Sequence, residues 1–194
     1  MEVVIASNNA NKIREIKAVL GDFFTEFNSL KDKGIDIEIE ETADTFEGNA
    51  RLKAEAVAKL TGLPALSDDS GLEVEALNGA PGVYSARYSG GSSKDNNELL
   101  LKNMEGKTDR RCRFVTVIVL KFPDGREIVA RGETTGNLLE KEQGQGGFGY
   151  DPLFLSDDLG ITFAEATPEE KNSVSHRGRA LSKLRKILTE ECSF

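Results

Sequence analysis

Cysteine and histidine are nearly absent from this 194-residue chain, which has two thiols, Cys112 and Cys192, and one imidazole, His176. Neither cysteine has a second Cys or a His beside it at metal-ligand spacing. That excludes a disulfide framework and a structural zinc site and leaves reduced thiols as the expectation. No stretch approaches the roughly 20 apolar residues that a membrane-spanning helix needs. The amino terminus, MEVVIASNNANK, lacks the basic start and apolar region of a secretory leader, so the expectation is a cytoplasmic protein with no membrane partner. Positive charge is not in excess either: 25 Lys+Arg against 33 Asp+Glu give a net charge of −8. This argues against a sequence-independent nucleic-acid binder, whose affinity comes from clustered Lys and Arg, although a local cationic pocket remains compatible. Internal repeats and long linkers are missing as well. With 38% hydrophobic and 30% charged residues, residues 1–194 read as one ordinary globular domain with room for a modest second lobe.

The apolar run Val3-Val4-Ile5 predicts a buried strand, followed by a polar turn at Ser7-Asn8-Asn9 and an amphipathic helix carrying Ile13, Ile16, Val19 and Leu20 up to Gly21. Residues 35–41 alternate apolar and acidic and predict a half-buried strand ending at Glu40-Glu41. Asp44 and Glu47 then stand at capping-box spacing before an Ala- and Leu-rich helix of about four turns, closed by Gly62 and Pro64. Leu72–Leu77 predicts another strand, stopped by Asn78-Gly79. Leu99, Leu100 and Met104 suggest a helix. The β-branched run from Arg113 to Phe122 and the segment Glu127–Thr134 form a predicted antiparallel hairpin around Asp124-Gly125. A glycine-rich loop covers 144–149, the short apolar stretch Leu153-Phe154-Leu155 follows, and a final helix runs from Ser175 to about Glu191 with Leu181, Leu184, Ile187 and Leu188 on one side. Strands and helices interleave, so the fold class is α/β with a central mixed sheet and flanking helices.

Four constellations bear chemistry. Ser7, Asn8, Asn9, Ala10, Asn11 and Lys12 lie where a strand hands over to a helix, whose first turn offers N–H groups and a positive dipole end to an anion. Small side chains admit a phosphate and Lys12 adds a point charge; the plainer reading is a capped helix with a solvated lysine. Glu40-Glu41 and Asp68-Asp69 are two acidic pairs. Adjacent strand side chains face opposite ways, so one member of each pair is expected to face a common pocket, where hard oxygens suit Mg²⁺. Asp68-Asp69-Ser70-Gly71 reads as a loop held by the sheet. His176 with Arg177, and Lys171 upstream, put cations at a predicted helix start, where a dipole disfavours them, and so point to an anionic or acceptor-bearing ligand. The glycine-rich loop with Phe148, Gly149, Tyr150 and Asp151 offers an aromatic face beside backbone amides, the requirement for stacking a planar base.

Taken in order, Ser7-Asn8-Asn9-x-x-Lys12, Glu40-Glu41-Thr42, Phe46-x-x-Asn49-Ala50, Ser67-Asp68-Asp69-Ser70-Gly71-Leu72, Gly79 to Tyr88, Gly146 to Pro152 and Ser175-His176-Arg177-Gly178 resemble the inosine triphosphate pyrophosphatase family, also called Ham1-like. Ser7-Asn8-Asn9 departs from the Thr-Gly-Asn or Thr-Ser-Asn of many members but keeps the hydroxyl and the third-position Asn. The resemblance implies hydrolysis of ITP, dITP and XTP to the nucleoside monophosphate and pyrophosphate, with Mg²⁺, in a homodimer. It also implies an elongated α/β fold whose two lobes flank a long nucleotide cleft. By the same resemblance Ser7 to Lys12 hold the triphosphate, Glu40 and Asp69 bind the metal, and Asp69 also takes the proton of the attacking water. Ser70, Phe148, Gly149, Tyr150, Asp151, Lys171, His176 and Arg177 line the nucleotide site. A donor from Arg177, His176 or a loop amide, aimed at the C6 carbonyl of hypoxanthine or xanthine, would oppose adenine. The rival readings are a noncatalytic nucleotide-sensing module, a phosphoryl-transfer enzyme cutting at the γ-phosphate, and, against the charge balance, a nucleic-acid-associated role.

Overall fold

The structure, a computed structural model, describes residues 1–191. Its six strands form one sheet in the order β2-β1-β3-β4-β5-β6, with β1 Glu2–Ile5, β2 Glu26–Ser29, β3 Ala65–Val74, β4 Arg111–Lys121, β5 Glu127–Leu138 and β6 Phe154–Ser156. The sheet is mixed: β1 runs parallel to β2 and β3, whereas β6 is antiparallel to β5. The helices are α1 Ala10–Leu20, α2 Phe46–Thr61, α3 Ser93–Asn103, α4 Pro168–Val174 and α5 His176–Glu191. An α/β fold with a mixed sheet is therefore what the chain forms. Among the described residues no helix is long and apolar enough to cross a membrane. Cys112 is buried and free, and burial pushes its thiol up to about 12, so it stays protonated. Cys192 lies outside the described residues.

The chain divides into two compact units. The first comprises Met1–Asp69, Thr116–Gly132 and the described residues from 178 on; the second comprises Ser70–Val115 and Glu133–Arg177. The core of the first packs α1 through Ile16 and Leu20 and α5 through Ala180, Leu181, Leu184 and Leu188 with the apolar residues of β1, β4 and β5. A second cluster there seats Val57 and Ala58 of α2 with Val4, Leu30 and Ala65. Removing one such side chain, as in Leu184→Ala, costs about 2–5 kcal/mol through lost transfer energy and the cavity left behind. The core of the second unit is aromatic: Phe114, Phe154 and Phe163 lie with ring centroids 4.6 to 6.0 Å apart, among Leu72, Val74, Leu100, Leu138, Tyr150 and Leu153.

Four local expectations are corrected. Residues 35–41 form no strand: Ile35 and Ile39 pack against the apolar cluster around Val57, but Ile37, which would share their face in a flat strand, is exposed. The ladder position beside β1 is filled instead by β2, with Glu2 opposite Glu26 and Ile5 opposite Ser29. Asp68 to Gly71 are part of β3 and not a loop, so the strand expected from Leu72 begins at Ala65. The cap of α2 is Thr45, whose Oγ1 accepts from the Gly48 amide at 3.0 Å, one residue later than the Asp44 box. The other end closes at Gly62 in the left-handed region, φ 66°, as a helix C-terminus favours.

Candidate active site

In the first unit, β1 delivers the chain into the turn before α1. The Asn9 side chain caps this helix, accepting from the amides of Asn11 at 3.0 Å and Lys12 at 3.2 Å. Ser7 Oγ accepts from the Asn9 amide, Asn8 Oδ1 from the Lys31 amide and Asn11 Oδ1 from Arg14. Two of the helix amides that the sequence offered to a phosphate are thus engaged by Asn9 itself, while Ala10 begins the helix and the Lys12 side chain leaves it. That side chain reaches Asp68 of β3, with Nζ 3.0 Å from Oδ2.

Asp68 and Asp69 are consecutive on a strand, so they face opposite ways, yet both are buried and both meet cations. Asp69 is 7% exposed. Burial raises its carboxyl to about 6, and the like charge of Glu41 adds to this, against the opposing pull of Lys53, the neighbouring Asn49 amide and Lys12. Lys53 Nζ donates to Glu41 Oε1 at 2.6 Å and to the Asp68 carbonyl at 2.9 Å, and lies 4.0 Å from Asp69 Oδ1. Asn49 Oδ1 accepts from the Ala43 amide at 2.9 Å and so secures the segment that carries the acidic pair. Glu41 is therefore the member of the first pair that reaches this cluster, whereas Glu40 is exposed. Lys53 and the Lys12–Asp68 pair were missed from the sequence, and Asn49 was read there only as part of a motif, without a role. Their available signal was the i, i+4 spacing of Asn49 and Lys53, which puts both on one face of α2.

In the second unit the loop after β5 is built round Asp151, which is 2% exposed. Its Oδ2 accepts from the Phe148 amide at 2.8 Å and from Lys171 Nζ at 2.5 Å. Gly147 takes φ 70°, and a Cβ there would collide with the Asp151 carboxylate, so only glycine fits. Lys171 lies over the Phe148 ring at 4.5 Å and the Phe163 ring at 5.6 Å, and Arg177 stands 5.9 Å from the Phe148 ring centroid. Such cation–ring contacts are worth about 0.5–2 kcal/mol each. Phe148 itself remains 40% exposed, whereas Arg177 is 3% exposed, with Nη2 3.5 Å from Ser70 Oγ. His176 opens α5 and stacks on Phe114 at 4.7 Å, with the rings 14° from parallel. Tyr150 is buried and donates to the Ser85 carbonyl at 2.7 Å; burial, with Tyr88 adding, raises its hydroxyl pKa well above the usual value. Tyr150 is thus a strut of the loop, Phe148 its free face, and Gly149 the link between them.

The first unit thus gathers carboxylates and lysines, the chemistry of a phosphate ester and a divalent cation. The second presents an open ring among cations, the chemistry of a planar, acceptor-bearing base. Together with the mixed α/β sheet, these are the parts of a nucleotide-processing protein. The model of the Ham1 family matches residues 3–187, and the chain belongs to that family. A protein of Deinococcus radiodurans named dITP/XTP pyrophosphatase is 51% identical over 183 residues, covering 94% of this chain and 90% of that protein. One of Thermus thermophilus with the same name is 50% identical over 188 residues, covering 95% and 90%. Among solved structures, the Ham1 protein of Staphylococcus aureus superposes with a TM-score of 0.91 at 43% identity, covering 98% of this chain and all of that one. A nucleoside-triphosphatase, dITP/XTP pyrophosphatase, of Mycobacterium abscessus gives 0.80 at 44% identity over 95% and 98%.

Proposed function

We propose that this chain hydrolyses the deaminated purine nucleoside triphosphates dITP, ITP and XTP to the nucleoside monophosphate and pyrophosphate. The carrying observation is Asp69: a buried carboxylate raised to about 6 among Lys12, Lys53 and Glu41 is more basic than an ordinary aspartate and still ionised at neutral pH. A base so placed takes the proton of a water attacking the α-phosphorus, an effect worth about 10²- to 10⁴-fold in rate. Lys12 and Lys53 supply positive charge for the pyrophosphate that leaves. Asp68 holds Lys12 at 3.0 Å, and Glu41 with the Asp68 carbonyl holds Lys53, so neither cation has to be ordered at the moment of reaction.

The donor set also suits Mg²⁺, which takes one or two carboxylates and completes its octahedron with water and phosphate oxygens. By the family resemblance Glu40 and Asp69 would hold it, although Glu41 is the member of that pair that stands in the Asp69 cluster, and bound there it would supply charge neutralisation at the phosphates.

Phe148 stacks the base, and Arg177 or His176 donates to the C6 carbonyl. The Phe148 amide is already committed to Asp151, which narrows the donors to those side chains and the remaining loop amides. Adenine would set an amino donor against them, and leaving a buried polar group unpaired costs about 1–3 kcal/mol. A panel of nucleoside triphosphates, assayed with and without Mg²⁺ and with the products resolved, tests the reading. Pyrophosphate release from dITP and XTP well above that from dATP is expected, and equal turnover of dATP and dITP would refute the donor account.

A further inference from the structure

Two consecutive asparagines on α3, Asn96 and Asn97, are 5% and 3% exposed. Neighbours on a helix point about 100° apart, so the two amides serve different loops. Asn96 Oδ1 accepts from the Ser89 amide at 2.8 Å and its hydroxyl at 2.7 Å, which holds the segment after the 3-10 turn Gly82–Arg87. Asn97 turns to the glycine-rich loop: its Nδ2 donates to Glu142 Oε1 at 2.7 Å and to the Gly149 carbonyl at 3.2 Å.

The Asn97 Oδ1 is buried and accepts no hydrogen bond among the described residues. Turning the amide over would aim this oxygen at a carboxylate and a carbonyl, two acceptors, so its orientation is fixed by its donors. A buried amide that leaves its own acceptor unsatisfied is kept for what it donates to. Those two partners sit at the entry and the exit of the loop that carries Phe148. The Phe148 amide donates to the Asp151 carboxylate and the Phe148 carbonyl accepts from the Asp151 amide at 3.2 Å, while Asn97 holds the next carbonyl, that of Gly149 at φ 60°, so Asp151 ties the two peptide units beside the ring and Asn97 anchors the one that follows.

We propose that Asn97 is the positioning residue of the base-recognition loop: with Glu142 it closes that loop and sets the pose of Phe148, and through it the preference for 6-oxo over 6-amino purines. The second half of the proposal rests on the function given above; the tether itself does not. Asn97→Asp keeps size and shape but replaces the double donor with a carboxylate facing two acceptors. Adding Glu142→Gln gives that carboxylate an amide donor and restores the entry tether with its polarity reversed. Glu142 is exposed, so Glu142→Ala loosens the same contact without disturbing the core.

Steady-state kinetics on dITP and dATP and timed trypsin cleavage at the exposed Lys141 read the outcome, with melting temperatures recorded for every variant. Asn97→Asp should raise KM for dITP about tenfold with kcat within about threefold, lower the dITP-to-dATP preference by a similar factor, and speed cleavage at Lys141 several-fold. Asn97→Asp/Glu142→Gln should recover most of the cleavage resistance and part of KM, and Glu142→Ala should raise KM about threefold. A folded Asn97→Asp with KM, preference and cleavage within twofold of the parent overturns the proposal. If that variant does not fold, Glu142→Ala with all three unchanged overturns it equally. A parent protein that releases no pyrophosphate from dITP refutes the functional reading instead, and cleavage at Lys141 still decides whether Asn97 holds the loop.

Discussion

The two units hold their cations by different means. In the first, Lys12 and Lys53 are fixed by carboxylates and a backbone carbonyl, at 3.0 Å from Asp68 and at 2.6 and 2.9 Å from Glu41 and the Asp68 carbonyl. In the second, Lys171 is fixed by Asp151 on one side and two phenylalanine rings on the other, and Arg177 stands within cation–ring range of Phe148. The first arrangement concentrates alternating charge, which suits a reaction that moves a proton and an anionic leaving group. The second surrounds a flat apolar face with donors, which suits telling one ring from another. Chemistry and selectivity should therefore separate under mutation.

The largest effect expected is on turnover. Asp69→Asn removes the proton acceptor and should lower kcat by about 10²- to 10⁴-fold while KM for dITP moves by no more than a few-fold; full activity in that variant would break the division at its root. Next comes the ring. Phe148→Ala loses a stacking platform worth about 1–3 kcal/mol per base, or roughly 5- to 150-fold, and that loss should appear in KM with kcat nearly intact. A loss confined to kcat would place Phe148 in the chemistry and merge the two halves.

Asp69 also marks a tension between function and stability. Its folded carboxyl titrates near 6, above the unfolded value of 3.8, so between these values the folded state binds the proton more tightly. Stability from this group is present below about pH 4 and is lost as pH rises through 6. Without divalent cation, Asp69→Asn should be more stable than the parent at pH 7.5 by on the order of 1–3 kcal/mol, a few degrees or more in melting temperature, and the gain should fade as the pH is lowered to 4. An advantage that does not change with pH would mean burial is not what raises this carboxyl. The smallest effect belongs to the surface. Arg51 pairs with the half-buried Glu127 at 2.8 Å and the exposed Glu47 at 2.6 Å, and pairs open to solvent on one side contribute about 1 kcal/mol or less. Arg51→Ala should shift the melting temperature only slightly and leave both kinetic constants alone.

Apolar periodicity made α1 and α5 legible, because Ile16 and Leu20 of α1 and Leu181, Leu184 and Leu188 of α5 are buried at the spacing read from the chain, whereas α4, which buries no residue, was not read. β2 was not legible: Glu26-Phe27-Asn28-Ser29 carries no β-branched residue, and its strand character comes only from pairing with β1. The acidic alternation of residues 35–41 misled for the converse reason, since a period of two counts for nothing without a neighbouring strand. Asp68 to Gly71 read as a loop because two carboxylates are costly inside a sheet, and they are tolerated there because Lys12 and Lys53 reach them from α1 and α2. The site residues named by motif fell into sets, but the groups that hold them did not stand out. Asn49, Lys53 and Asn97 act through the backbone and through other side chains, and a linear sequence does not display such contacts.

The position of bond cleavage tests the central claim most directly. Hydrolysis of dITP in ¹⁸O-labelled water with Mg²⁺ should release unlabelled pyrophosphate and place the label on the phosphate of dIMP, as attack at the α-phosphorus by an Asp69-activated water requires. Label in orthophosphate with dIDP as the other product would contradict it.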